Sequence, residues 1–424
     1  MRAAYERNKL ADAGSIRTVF FICWITYTST YIGRLNFNAS MGEMMTSDHF
    51  SKSQLGLVAA AFFFAYGIGQ FISGILGDRV SPKLLVFLGL SSSSALNLAM
   101  GISSTYEMMV ILWSLNGLAQ SLTWSPMAKL IADRLPKKES FRALAVLTTT
   151  VPAGTLITYL MCSLLIDYSG WRMVFDMAAF LMLPVAVVWY IVISKLEHKA
   201  DSGGFTEQSP ALAATGTPSP PHHTPLYTLF AVSGLLFIGM GAMLHGILKD
   251  GIMTWMPTYL AEGYHTGSSL AIRLTMILPV INLAGVYLSG VINRKIFQNE
   301  LVTAAALFAL TVLALLVLIG YGKNSLPLAL LMLGIVTSAM LGVNAMLVSF
   351  VPVYFRESGR VSTVSGLLNS ATYVGSALSS YGIGAVAEQL GWGFTRLSWC
   401  VLALGGAVIC VIASGRWRAF TRKI

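Results

Sequence analysis

Thr18-Val-Phe-Phe-Ile-Cys-Trp-Ile-Thr-Tyr27-Thr-Ser-Thr-Tyr31-Ile-Gly-Arg34-Leu-Asn-Phe-Asn-Ala39 is an unbroken run of 22 residues with one charge, Arg34. A bilayer core about 30 Å thick takes about 20 helical residues to cross, so this run is long enough to span. No small-residue cleavage site follows a short apolar core, so the run reads as a retained helix and not a signal peptide. Eleven more such runs follow, at residues 55–76, 83–103, 108–131, 141–166, 171–196, 226–260, 270–292, 301–320, 326–353, 361–386 and 392–414. The chain is expected to be an all-α membrane protein of twelve transmembrane helices.

Composition agrees. Of 424 residues, 55% are hydrophobic and 11% charged, where soluble domains carry about 25% charged residues. Too few charges remain to cover a water-facing surface, which excludes a soluble enzyme, a nucleic-acid reader and a secreted disulfide scaffold. The net charge of +10 is spread through short loops instead of gathered on one domain, which speaks to topology. Cys23, Cys162, Cys400 and Cys410 all lie in apolar runs without paired spacing, so they read as buried thiols and give neither a zinc site nor a disulfide framework. The segment around residues 202–224 is dominated by Pro, Gly, Ser and Thr and has lost all apolar periodicity. It reads as a flexible connector that divides the chain into residues 1–200, a linker at 201–225 and residues 226–424, six helices on each side.

Placing both termini in the cytoplasm puts 21 of the 28 Lys and Arg residues inside and five outside, leaving Arg34 and Lys249 within the membrane. That asymmetry is what the positive-inside rule asks for in a cell-membrane protein. The halves also repeat. Gly74-Ile-Leu-Gly-Asp78-Arg79 and Gly290-Val-Ile-Asn-Arg294-Lys295 are offset by 216 residues, Arg142 and Arg360 by 218, and Arg34 and Lys249 by 215. Near-equal offsets between halves of one orientation indicate parallel six-helix repeats, with a binding site between them at the midplane.

Arg34 and Lys249 are the candidates for that site. An ionisable group at mid-bilayer costs at least about 2.5–3.5 kcal/mol and is a functional candidate by default. Arg34 can grip a phosphate or carboxylate through its planar fork, and Lys249 acts as a point charge. Either could instead snorkel to the interface, and an acid paired to either would remove that anchor. Tyr27, Tyr31 and Arg34 stand at i, i+4 and i+7 on one stripe. Tyr66 with Gln70, Asn116 with Gln120 and Trp124, and Asn369 with Tyr373 repeat that spacing on other helices. These pairs suit either substrate contact or helix–helix glue.

His245 lies one turn before Lys249 and could carry a proton or bond a neighbouring helix. Asp250 follows Lys249 but points about 100° away on an ideal helix, so it need not neutralise the lysine. It too could carry a proton. Gly74, Asp78 and Arg79 have the composition of a gate at the cytoplasmic end of the second helix. Trp124-Ser-Pro126 and Pro152 are expected to distort their helices. No nucleophile, phosphate-binding loop or metal spacing is present, so neither a cofactor nor enzymatic chemistry is expected.

The block Tyr31-Ile-Gly-Arg34-Leu-Asn-Phe-Asn-Ala-Ser-Met41 resembles the first helix of the organophosphate:phosphate antiporters, the glycerol-3-phosphate and hexose-6-phosphate transporters of the major facilitator superfamily. Tyr66-Gly through Asp78-Arg79, Asn116-Gly to Pro126, Gly251-Ile-Met-Thr-Trp255-Met-Pro257-Thr-Tyr259-Leu260 and Ser365-Gly366 through Gly391-Trp392 extend the resemblance over most of the chain. It implies the major facilitator fold of two six-helix bundles, and cations on the first and seventh helices that hold a substrate phosphate, at Arg34 and Lys249. Tyr27, Tyr31, Tyr66 and Tyr373 then line the cavity, and Thr149 falls where the family has a histidine near the phosphate. Lysine replaces the usual arginine at 249, Leu35 follows Arg34 where lysine is usual, and Gln70 replaces a lysine. The cavity is therefore less positive than the family's, which also suits a monoanion such as a sugar acid.

The expected activity is alternating-access uptake of a small organic anion by a protein that works as a monomer. A sugar phosphate or glycerol phosphate, in exchange for inorganic phosphate, leads. A proton-coupled carboxylate symporter and a sugar-phosphate sensor that does not transport are the alternatives.

Overall fold

In lipid a backbone must satisfy its own polar groups, and within one segment only a helix does so. The computed structural model describes residues 10, 12–147, 149–202, 234–322, 325–355 and 361–422, and no strand occurs among them. The linker and its neighbours at 203–233 fall outside the described residues. The helices are α1 (Ala13–Ser47), α2 (Lys52–Arg79), α3 (Pro82–Gly101), α4 (Tyr106–Arg134), α5 (Lys137–Leu147) and α6 (Thr150–Ser202) in the first half. The second half has α7 (Leu235–Tyr264), α8 (Ser268–Thr275), α9 (Leu278–Ile292), α10 (Glu300–Tyr321), α11 (Leu326–Asn344) and α12 (Val361–Thr421).

Two of these are double spans. α6 has 53 residues and α12 has 61, about 80–90 Å of helix at 1.5 Å per residue, far more than one crossing. Each reverses at a glycine with left-handed φ, Gly170 at φ 73° and Gly391 at φ 75°, with ψ near 180°. That conformation is open essentially to glycine alone, so these two residues turn one long helix into two antiparallel spans. With α5 joined to the first part of α6, and α8 joined to α9, the helices make twelve crossings in two six-helix bundles.

Three expected spans are interrupted. The fifth breaks between Leu147 and Thr150, and Pro152 takes a place in the first turn of α6, where its missing N–H leaves no helical bond unmade. Thr149 and Thr150 turn their hydroxyls back onto the carbonyls of Val146 and Leu147. The eighth breaks ahead of Pro279, which sits in the first turn of α9. The tenth ends at Asn344 and continues as a π-helical turn, Ala345–Phe350, then a 3-10 turn, Val351–Phe355, around Pro352. Pro126 lies inside a continuous α4; a proline within a membrane helix is tolerated because neighbours re-satisfy the freed carbonyl.

Polar residues glue the bundles. Asn116 and Asn97 both donate to the Gly33 carbonyl, at 2.8 and 3.2 Å, and Asn36 donates to Asn97 at 2.8 Å. Ser93 donates to Asn116 at 2.6 Å. These buried bonds tie α1, α3 and α4 together at the level of Arg34. In the second bundle α7 and α12 meet almost backbone to backbone: Gly246 faces the Thr372 carbonyl and Gly375 faces the Met243 carbonyl. The four cysteines are buried and free.

Twelve crossings bring the start of α1, Ala13, and the end of α12, Thr421, to one end of the molecule, here called the near end. Between described residues, every hydrogen bond and ion pair that joins the two bundles lies toward the far end. Lys52 pairs with Glu262 at 3.0 Å and Arg273 with Asp167 at 3.4 Å. The Ser53 amide donates to Glu388 at 2.8 Å, and Ser269 donates to Asp167 at 2.8 Å. One apolar core runs through this closed half, uniting Phe37, Met41, Val58 and Phe62 of the first bundle with Ile252, Trp255 and Tyr259 of the second. Toward the near end, Val19, Ile22, Val86 and Met127 form a separate cluster that draws on the first bundle alone.

Candidate functional site

Arg34 lies midway along α1, one turn past Tyr31, because Tyr27, Tyr31 and Arg34 do share one face. The rings of Tyr27 and Tyr31 meet edge to face at 5.7 Å, and Trp124 of α4 lies 4.9 Å from Tyr27. The guanidinium stands 4.0 Å above the Tyr31 ring and 5.9 Å from that of Tyr66 on α2. No carboxylate pairs with Arg34 among the described residues. Tyr66 in turn meets Tyr373 of α12 at 5.2 Å, where Gly67 leaves room for the Tyr373 side chain. The aromatic group around Arg34 therefore closes across the boundary between the bundles.

Lys249 differs from expectation. Its Nζ lies 3.2 Å from Asp250 Oδ1, with side-chain exposures of 21% and 17%, and Ser376 of α12 donates to the other carboxylate oxygen at 2.5 Å. Vicinal side chains leave an ideal helix about 100° apart, but a four-carbon arm can swing across that arc. In the poorly polar middle of a membrane the attraction is strong enough to bring it there. The two cations are thus unequal: Arg34 is uncompensated, while Lys249 is neutralised by Asp250. Tyr373 is within electrostatic reach of both Arg34 and Asp250, so the two charged groups belong to one neighbourhood.

Other expected contacts go elsewhere. Gln120 is buried, with its amide donating to the Thr30 carbonyl at 3.1 Å and to Ser93 at 2.9 Å. Its amide nitrogen ties α1, α3 and α4 together, while its carbonyl oxygen has no partner among the described residues. His245 is fully buried beside Asn344 of α11, with Nε2 at 3.2 Å. Its Nδ1 has no hydrogen-bond partner among the described residues. It shares the Lys249 face of α7, one turn away, with its Nε2 turned to α11. Thr149 is exposed at the break before α6 and accepts a bond from Trp24 at 2.9 Å. Gln70 accepts from Ser125 at 3.3 Å. Gly74, Asp78 and Arg79 occupy the last turns of α2, and their side chains lie outside the described set.

The far-end latches were not among the expected functional residues, although one signal pointed to them. The Gly-Trp that reverses each double span recurs 221 residues on, as Gly170-Trp171 and Gly391-Trp392. Each tryptophan donates to an acid at the far end of the first helix of its half, Trp171 to Asp48 at 3.2 Å and Trp392 to Glu262 at 2.8 Å. Arg172 adds an ion pair to Asp48 at 2.8 Å.

Fold and site together describe a membrane transporter. The Major Facilitator Superfamily profile matches residues 20–380, and the chain belongs to that superfamily. It is 23% identical to a Chlamydia pneumoniae protein named "Probable hexose phosphate transport protein", over 88% of this chain and 86% of that one. It is 24% identical to the glycerol-3-phosphate transporter of Bacillus subtilis, over 95% of this chain and 92% of the other. Among solved structures, a bacterial homolog of the human lysosomal transporter Spinster, inward-facing and unoccupied, superposes with a TM-score of 0.72. It covers 97% of this chain and 98% of its own, at 16% identity; that likeness establishes the fold. The chain is a transporter and not an enzyme.

Proposed function

We propose that the protein carries a small phosphorylated organic anion, a sugar phosphate or glycerol phosphate, in exchange for inorganic phosphate. The two bundles rock about a midplane site whose anchor is Arg34. The observation that carries this reading is a mid-membrane guanidinium with no acid paired to it among the described residues, set against Tyr31 and Tyr66, the latter packed on Tyr373 of the second bundle. A planar cation held on aromatic faces keeps its N–H edge for a bidentate oxyanion. The printed functions of the hexose phosphate and glycerol-3-phosphate relatives support the same cargo class. Tyr27, Tyr31, Tyr66, Trp124 and Tyr373 line the path, and Thr149 stands at its mouth. Gly74, Asp78 and Arg79 gate the near end, both termini face the cytoplasm, and the linker of residues 201–225 joins two domains that act as one monomer.

Proteoliposomes loaded with inorganic phosphate test this. Glucose 6-phosphate or glycerol 3-phosphate should enter in counterflow, and uptake should fall to background in Arg34→Ala. Uptake that ignores internal phosphate would sink the exchange reading. Unchanged uptake in Arg34→Ala would sink the site.

A further inference from the structure

The site's charge is adjustable, because Lys249 has Asp250 as its immediate chain neighbour. With the pair intact, Arg34, Lys249 and Asp250 sum to a single positive charge, which matches a monoanion. A doubly charged phosphate would meet an uncompensated negative charge there. Protonating Asp250 removes its attraction for Lys249 and leaves two free cations, which matches a dianion. We propose that a dianion binds together with one proton, taken up by Asp250, while a monoanion binds without one. This inference rests on Arg34 as the anion anchor.

The geometry supplies the parts. The Lys249–Asp250 pair is partly exposed, so solvent can deliver the proton to Oδ1 as Lys249 leaves it. Oδ2 remains on Ser376, which keeps the neutral acid in place against α12. The ammonium then swings to the anion as a point charge while Arg34 provides the fork. On α7 Asp250 pairs with Lys249, which in turn neighbours His245. On α12 Tyr373 stands within electrostatic reach of Asp250, and Tyr373 links it across the bundle boundary to Arg34 and Tyr31 on α1 and Tyr66 on α2. α11 has no titratable residue, and the one charge on α8, Arg273, pairs with Asp167 at the far end. His245 is the competing proton acceptor, but it is buried against Asn344 and its ring is turned to α11.

Calorimetric titration of the purified full-length protein between pH 5.5 and 8.5 separates the outcomes. The probes are sulfate, a dianion throughout, and methyl sulfate, a monoanion throughout. Sulfate affinity should fall by up to tenfold per pH unit once Asp250 is ionised, with uptake of close to one proton, read from the dependence of the binding heat on buffer ionisation. Methyl sulfate affinity should change by less than about twofold. Asp250→Asn should bind sulfate tightly with a flat pH profile. Ser376→Ala, which removes a donor to the ionised carboxylate, should move the sulfate profile to higher pH. A wild-type sulfate profile without slope or proton uptake overturns the proposal while leaving the anchor standing. So does a slope that persists in Asp250→Asn but vanishes in His245→Gln. Failure of both anions to bind the folded protein, judged by its thermal melt, removes the anchor and the proposal together.

Discussion

Arg34 crosses into the membrane at a cost of at least about 2.5–3.5 kcal/mol. A desolvated cation–π contact such as that with Tyr31 returns about 2 kcal/mol or more of that. It leaves the N–H edge of the guanidinium without a carboxylate among the described residues, so Arg34 is open to an oxyanion in a way that Lys249, already paired, is not. Each hydrogen bond to a charged group contributes about 1.5–3 kcal/mol. Losing a bidentate grip in Arg34→Ala should therefore weaken anion binding at least about 100-fold by calorimetry, and Arg34→Lys should recover only part of it. Tyr31 acts through its ring face. Tyr31→Phe should melt within a degree or two of wild type, and Tyr31→Leu should lose about 0.5–2 kcal/mol of stability, measurable by thermal unfolding in detergent.

At the scale of elements, a few residues decide where helices begin, bend and end. Gly170 and Gly391 hold conformations that cost other residues about 1–3 kcal/mol. Gly170→Ala and Gly391→Ala should each destabilise by that amount in chemical denaturation, although no neighbouring atom crowds either site. Asn97 donates to two carbonyls and accepts from Asn36, so Asn97→Ala should cost about 1–3 kcal/mol and loosen α1 around Arg34. At the near end, outside the lipid, Asp12 caps α1 by accepting from the Ser15 amide. That bond, with the Ser15 hydroxyl and Lys199, holds the Asp12 carboxyl down at about 2, below its ordinary 3.8. The folded value is the lower one, so the cap's contribution is whole above pH 3.8 and drains away as pH falls toward 2. Amide exchange in the first turn of α1 should accelerate over that window in wild type, and already be fast at neutral pH in Asp12→Ala.

For the whole molecule, the far end is held by paired charges and one continuous apolar core, while the near-end cluster of the first bundle stays separate. Exposed pairs contribute only about 0.2–1 kcal/mol each, enough to bias two arrangements of the bundles by a few-fold without freezing either. Lys52→Glu sets like charge against Glu262 and Glu388. It should raise the population open at the far end about fivefold, read as longer spin-label distances between the far ends of α2 and α7. Adding Glu262→Lys should restore the wild-type distances. If Lys52→Glu leaves them unchanged, the pair is not part of the latch.

Crossing number, span positions and the mid-membrane cations could be read from the chain alone, because a bilayer imposes length and polarity one segment at a time. The broken fifth span was foreseeable from Pro152. The π turn after Asn344 was not, since nothing local demands it. Side-chain partnership was decided only by tertiary structure. The spacing of Gln120 and Asn116 suits ligand contact or glue alike; it is α3, by bringing Ser93 to both, that gives them their partners. Helix geometry did not require Asp250 to neutralise Lys249, but Ser376 of α12 holds its carboxylate within the lysine's reach. Helical periodicity tells which way a side chain departs; which group it ends on depends on what another helix, 23 residues away for Ser93 and Asn116 or 126 for Asp250 and Ser376, presents there.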